Sequence, residues 1–167
     1  IENPLLERTL TTWEGHDVLL VTSHRRESWG EPMRRAAAAL ARIAKAHPKL
    51  LVVLPAHLNP IVREVLLPPL AGSANVVITD PLSYSDFSQV LNRSTVVLTD
   101  SGGVQEEAPS LGKPVLVMRE TTERPEAVTA GTVRLVGTDS DMIFDQVSTL
   151  LADRQAYERM ARAMNPY

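Results

Sequence analysis

The sequence predicts an α/β domain built on a doubly wound parallel sheet, Rossmann-like in its layering. Three observations carry this expectation. Short apolar runs rich in β-branched residues alternate with amphipathic stretches along the whole chain. The runs are nearly continuous in Val, Leu and Ile, which is how strands covered on both faces read. Gly and Pro punctuate the ends of the amphipathic stretches. Alternation of this kind implies right-handed βαβ units.

The elements follow in order. Residues 1–16 carry no strand signal and read as a linker or a leading helix. Strands are expected over 18–22, 50–54, 76–79, 95–99, 115–118 and 132–136. Helices are expected over 31–46, 60–67, 84–91, 103–111, 139–151 and 154–164. Pro68-Pro69, Gly72, Gly112 and Gly131 mark helix ends or turns. No internal repeat or low-complexity segment is visible, so residues 1–167 read as one domain.

Composition narrows the function classes. At 167 residues the chain suits a single domain with its own core. It contains no Cys, which removes disulfides and thiolate metal sites. Apolar residues make up 44% and charged residues 22%, the balance of a soluble globular protein. A net charge of −3 without a long basic run argues against nucleic acid as a partner. No apolar stretch approaches the roughly 20 residues of a membrane span, and no signal segment opens the chain. A cytoplasmic location is the default expectation. The chain opens Ile1-Glu2-Asn3-Pro4 without an initiator Met and closes Asn165-Pro166-Tyr167. Both ends suit a piece cut from a longer protein, with processing and ordinary trimming of the termini as the plain alternative.

An open parallel sheet binds ligands beyond the carboxyl ends of its strands, so the residues following each run are the candidates. Ser23-His24-Arg25-Arg26-Glu27 follows the first run and offers an imidazole and two guanidinium groups. A solvated charged loop is the plain alternative. No Gly-x-Gly-x-x-Gly occurs there, which weakens a dehydrogenase reading. Pro55-Ala56-His57-Leu58-Asn59-Pro60 brings a second His to the same edge, where a structural role is the alternative. Asp80-Pro81-Leu82-Ser83-Tyr84, with Phe87 beyond it, could hold a planar base; Tyr84 and Phe87 could equally be core positions of a helix.

The strongest local signal is Thr99-Asp100-Ser101-Gly102-Gly103 leading into a helical stretch. Glycines let a ligand approach the backbone, and a helix N-terminus offers free N–H groups to a diphosphate. Glu107, four residues after Gly103, shares that helical face and suits the two hydroxyls of a ribose. Acidic residues also favour first turns for electrostatic reasons alone. Arg119-Glu120-Thr121-Thr122-Glu123-Arg124-Pro125-Glu126 follows the fifth run as a dense polar loop.

Four segments together resemble a known family. They are His24-Arg25-Arg26-Glu27, Pro55-Ala56-His57-Leu58-Asn59-Pro60, the run from Asp100-Ser101-Gly102-Gly103 through Gly112-Lys113-Pro114, and Thr121-Thr122-Glu123-Arg124-Pro125-Glu126. In order and content they are similar to the C-terminal-domain motifs of bacterial, non-hydrolysing UDP-N-acetylglucosamine 2-epimerases. Ser28 departs from the family's usual Asn. The resemblance implies the C-terminal domain of a GT-B-type two-domain fold, with the N-terminal domain of the same enzyme missing. It implies inversion at C2, interconverting UDP-N-acetylglucosamine and UDP-N-acetylmannosamine by elimination and re-addition of UDP.

By the same resemblance, His24 assists catalysis. Ser101, Gly102 and Gly103 hold the diphosphate, Glu107 the ribose, and Leu82 and Phe87 border the uracil, with Arg124 also in the UDP site. Arg25 and His57 match a regulatory site for the same sugar nucleotide. The resemblance calls for no metal or redox cofactor, and it implies a homodimeric parent. Rival readings are the nucleotide half of a GT-B glycosyltransferase, a stand-alone UDP-binding module, and a flavodoxin-like receiver. The last lacks the acidic cluster expected after its first strand.

Overall fold

Successive residues of a strand point to opposite faces, so an unbroken apolar run needs cover on both. The runs meet that need as β1 (Val18–Thr22), β2 (Leu51–Pro55), β3 (Val76–Thr79), β4 (Val96–Thr99), β5 (Val115–Val117) and β6 (Val133–Leu135). They form one six-stranded sheet in the order β3-β2-β1-β4-β5-β6, every neighbouring pair parallel. The structure, a computed structural model, describes residues 2–23, 30–100, 104, 108, 111–120, 128, 131 and 133–162.

The helices are α1 (Pro4–Thr12), α2 (Glu31–Ala46), α3 (Pro60–Leu70), α4 (Tyr84–Arg93), α5 (Ser140–Ala152) and α6 (Arg154–Ala161). Between β4 and β5, Val104 and Ala108 are also helical. On one face Leu19, Val21, Val52, Leu54 and Leu98 pack with Leu40 and Ile43 of α2, Val62 and Leu66 of α3, and Ile143 of α5. On the other, Val18, Leu20, Val53 and Val97 pack with Leu6 of α1, Val90 and Leu91 of α4, and Val104 and Ala108. The two cores explain the continuous apolar runs: odd and even positions are buried against different helices. Among the described residues no helix is long and apolar enough to cross a membrane.

Caps set the helix starts. Asn3, Asn59, Ser83, Asp139 and Asp153 each accept a hydrogen bond from a main-chain N–H of the first turn. One expectation needs correction. Pro68 and Pro69 lie inside α3 instead of ending it. Both face outward, and Leu70 extends the buried row of Val62 and Leu66 at four-residue spacing. Burial of that leucine outweighs the helix-breaking tendency of two prolines in the final turn.

The sheet's amino edge is fastened by one buried amide. Asn75 Nδ2 donates to the main-chain oxygens of Ala44 at 3.0 Å, His47 at 3.1 Å and Leu50 at 2.8 Å. It thereby ties the end of α2 to the approach to β2. Asn75→Ala is expected to cost about 2–3 kcal/mol by leaving buried carbonyls unpaired. A lowered urea midpoint at unchanged slope would report it; an unchanged midpoint would show the amide to be dispensable.

Candidate functional site

The strand order places the crevice. The chain leaves β1 for α2 on one face and leaves β4 for the Val104 and Ala108 segment on the other. Adjacent strands with diverging connections open a cleft beyond their carboxyl ends. At that point Thr22 stands opposite Thr99. Their hydroxyls share a hydrogen bond of 2.6 Å, and both residues are fully buried. One step further, Ser23 Oγ donates to Asp100 Oδ2 at 3.1 Å, and the Asp100 N–H donates to the Thr22 carbonyl at 3.4 Å. Asp100 has 0% exposure. A carboxylate that deep is tolerable only with hydrogen-bond partners. The pair therefore fixes the exits of both strands, where His24 and Ser101 follow in sequence.

The loop after β2 is held by a residue the motifs do not include. Arg63 of α3 donates to the carbonyls of Ala56 and His57, each at 3.2 Å. It also pairs with Asp80 after β3 at 2.8 Å. One guanidinium thus spans two neighbouring loops, a task suited to its several fixed donors. His57 is exposed, and its Nδ1 accepts the Asn59 N–H at 3.0 Å. That bond leaves Nε2 as the protonated ring nitrogen of the neutral imidazole. Asn59 then caps α3 through Ile61 N at 2.9 Å.

The loop after β3 carries the expected base-bordering residues. β2 and β3 are in register through Pro55 and Thr79, so this loop lies beside the His57 loop. Leu82 and Phe87 are half-buried and pack against the α1–α4 core. Tyr84 is 74% exposed, so it is not a core residue. Between them, Ser83 caps α4 by accepting from Asp86 N at 3.2 Å.

The structure thus brings Leu82 and Phe87 together and sets His57 on the adjacent loop, all at the carboxyl edge. His24, Arg25, Ser101, Gly102, Gly103, Glu107 and Arg124 lie outside the described residues. Val104 and Ala108 are 5% and 0% exposed, so the described part of that segment presents an apolar face to the sheet. The motif reading missed Thr22, Arg63 and Asp86. Polar residues at strand ends were a visible signal for the first; Arg63 bridges two loops that only the fold sets side by side, and Asp86 acts through partners 83 and 84 residues away.

Comparison with known proteins agrees with this fold. The family model for UDP-N-acetylglucosamine 2-epimerase matches residues 1–167. The UDP-N-acetylglucosamine 2-epimerase of Escherichia coli (strain K12) is 56% identical over 150 residues, which is 90% of this chain and 40% of that protein. The crystal structure of UDP-GlcNAc 2-epimerase from Neisseria meningitidis, bound to UDP-GlcNAc, superposes with a TM-score of 0.90 at 41% identity, covering 99% of this chain and 46% of that one. The S. aureus MnaA–UDP structure gives a TM-score of 0.92 at 40% identity, with 95% and 44% covered. The chain therefore spans about two fifths of the length of the curated relatives it matches. With the sheet order of its solved relatives and a family match over residues 1–167, this chain belongs to the UDP-N-acetylglucosamine 2-epimerase family.

Proposed function

We propose that this chain forms the UDP-binding half of an enzyme that interconverts UDP-N-acetylglucosamine and UDP-N-acetylmannosamine. The observation that carries the reading is the β1–β4 switch point of the sheet, where the Thr22–Thr99 and Ser23–Asp100 pairs fix the strand exits. The sequence places Ser101-Gly102-Gly103 directly after that anchor. Relatives solved with UDP-GlcNAc and with UDP support the ligand class.

In the proposed reaction a base removes the C2 proton while the C1–O bond to UDP breaks, leaving an enzyme-bound glycal. UDP adds back, and a proton returns to the opposite face of C2. Ser101, Gly102 and Gly103 receive the diphosphate, whose growing charge backbone N–H groups stabilise. Glu107 accepts from the ribose hydroxyls, and Leu82 and Phe87 border the uracil. Arg124 adds a guanidinium to the UDP site, and His24 assists at the reacting sugar. Arg25 and His57 belong to a second, regulatory sugar-nucleotide site. The whole enzyme is proposed to be a cytoplasmic homodimer, with a further domain supplying the other wall of the cleft.

Two outcomes test this. UDP should bind the 167-residue chain with Kd near millimolar, about −4 kcal/mol, because only one wall of the cleft is present. Gly103→Asp should abolish binding, and Glu107→Ala should weaken UDP while leaving inorganic pyrophosphate unchanged. Amide-shift titration reads both; equal weakening of the two ligands by Glu107→Ala would refute the ribose assignment. The chain alone should show no C2 epimerisation of UDP-N-acetylglucosamine by NMR, since proton transfer needs positioned groups on both walls. Turnover comparable to that of a full-length relative would contradict this.

A further inference from the structure

Asp86 is 2% exposed in the first turn of α4. An acidic residue three places after a Ser cap ordinarily reaches back to the cap's own N–H. Here the carboxylate is turned to a distant segment. Oδ1 accepts the N–H of Glu2 at 2.7 Å, and Oδ2 accepts the N–H of Asn3 at 2.9 Å. Asn3 in turn caps α1 through Leu6 N at 3.1 Å. At the other end, Arg93, the last residue of α4, donates to the carbonyl of Trp13, the C-cap of α1, at 2.9 Å. The two helices are thus tied start to start and end to end. Leu6, Val90 and Leu91 share one core between them, with Leu82 and Phe87 packed against it.

A buried carboxylate accepting two main-chain N–H bonds is a strong, charge-assisted anchor. Its position is what gives it a role. Asp86 lies between Leu82 and Phe87 in sequence, on the turn that holds both, at the carboxyl edge of the sheet. The start of α1 needs no such anchor to be helical, since Asn3 and Pro4 already supply a cap and a first-turn proline.

We infer that Asp86 is a positioning residue for the base end of the nucleotide site, clamping residues 2–3 against the Leu82–Phe87 turn. This rests on the proposed UDP reading. The clamp narrows the orientations of that turn, so its loss should affect a ligand that carries a base and spare one that does not.

The test uses the 167-residue chain with UDP and inorganic pyrophosphate as probes, followed by amide shifts. Asp86→Asn keeps the shape but presents one acceptor and one donor to two N–H groups. It should raise the UDP Kd about fivefold, leave the pyrophosphate Kd unchanged, and speed hydrogen exchange at Glu2 and Asn3. Glu2→Pro removes one donor without touching α4 and should shift UDP in the same direction, so a poorly folding Asp86→Asn would not stall the test. Unchanged UDP affinity in Glu2→Pro and in any folded Asp86→Asn, or equal weakening of both ligands, would overturn the inference. Failure of the underlying UDP reading would show separately, in the unsubstituted chain, as pyrophosphate binding as tightly as UDP.

Discussion

Burial of the sheet on both faces is the constraint from which the other features follow. Along β1 every residue is buried, and the same holds for β2, β4 and β5. A strand in that position has no place for an unpartnered polar side chain. Thr22 and Thr99 occupy the last position of their strands and satisfy one another. Beyond them the chain emerges from the helical layers and polar residues follow the strand ends: Ser23, His57, Asp80, Arg119 and Glu120 are partly or well exposed, while Asp100, still buried, accepts a hydrogen bond from Ser23. The location of the candidate site is thus a consequence of where burial stops, and the order of the strands decides which two exits diverge.

Element identity was legible because the cores are one-sided for each residue and two-sided for each strand. The runs over 18–22 and 76–79 match β1 and β3, and 31–46 matches α2, at both ends. At two of the boundaries that moved, a particular contact accounts for the shift. Thr95 falls outside β4; its hydroxyl accepts the Val18 N–H at 3.1 Å and donates to Asp17 at 3.2 Å, as an edge residue does. α3 runs past its prolines because Leu70 has a place in the core. Neither contact has a local signature: Thr95 and Leu70 look like many other residues of their type until their neighbours in space are known.

The candidate site divides along the same line. Leu82, Phe87 and His57 stand after apolar runs in the sequence, and the structure sets Leu82 and His57 on adjacent loops with Phe87 in the first turns of α4. Their supports could not be read. Arg63 bonds a loop six and seven residues back and a carboxylate 17 residues ahead. Asp86 reaches 83 and 84 residues back. A motif records what a ligand needs to touch, and its residues cluster in sequence because a single loop presents them. The residues that aim the loop are chosen by the packing of helices, and sequence distance places no limit on them.

This separation bears on how such a domain can be prepared for a ligand. A nucleotide gains affinity when the groups it meets are already in place, because less ordering is left to the binding step. The ties that order this edge run entirely within the chain: Ser23 to Asp100 across the β1–β4 exits, Arg63 across the β2 and β3 loops, and Asp86 from the start of α4 to the start of α1. None reaches across the open side of the cleft. The nucleotide wall can therefore be ordered before a second wall meets it. In the proposed reaction the steps that require both walls are the proton transfers at C2, whose geometry this chain alone does not enclose. In that reading binding and chemistry differ in their dependence on the far wall, because the ties on this side order the strand exits and loops without it.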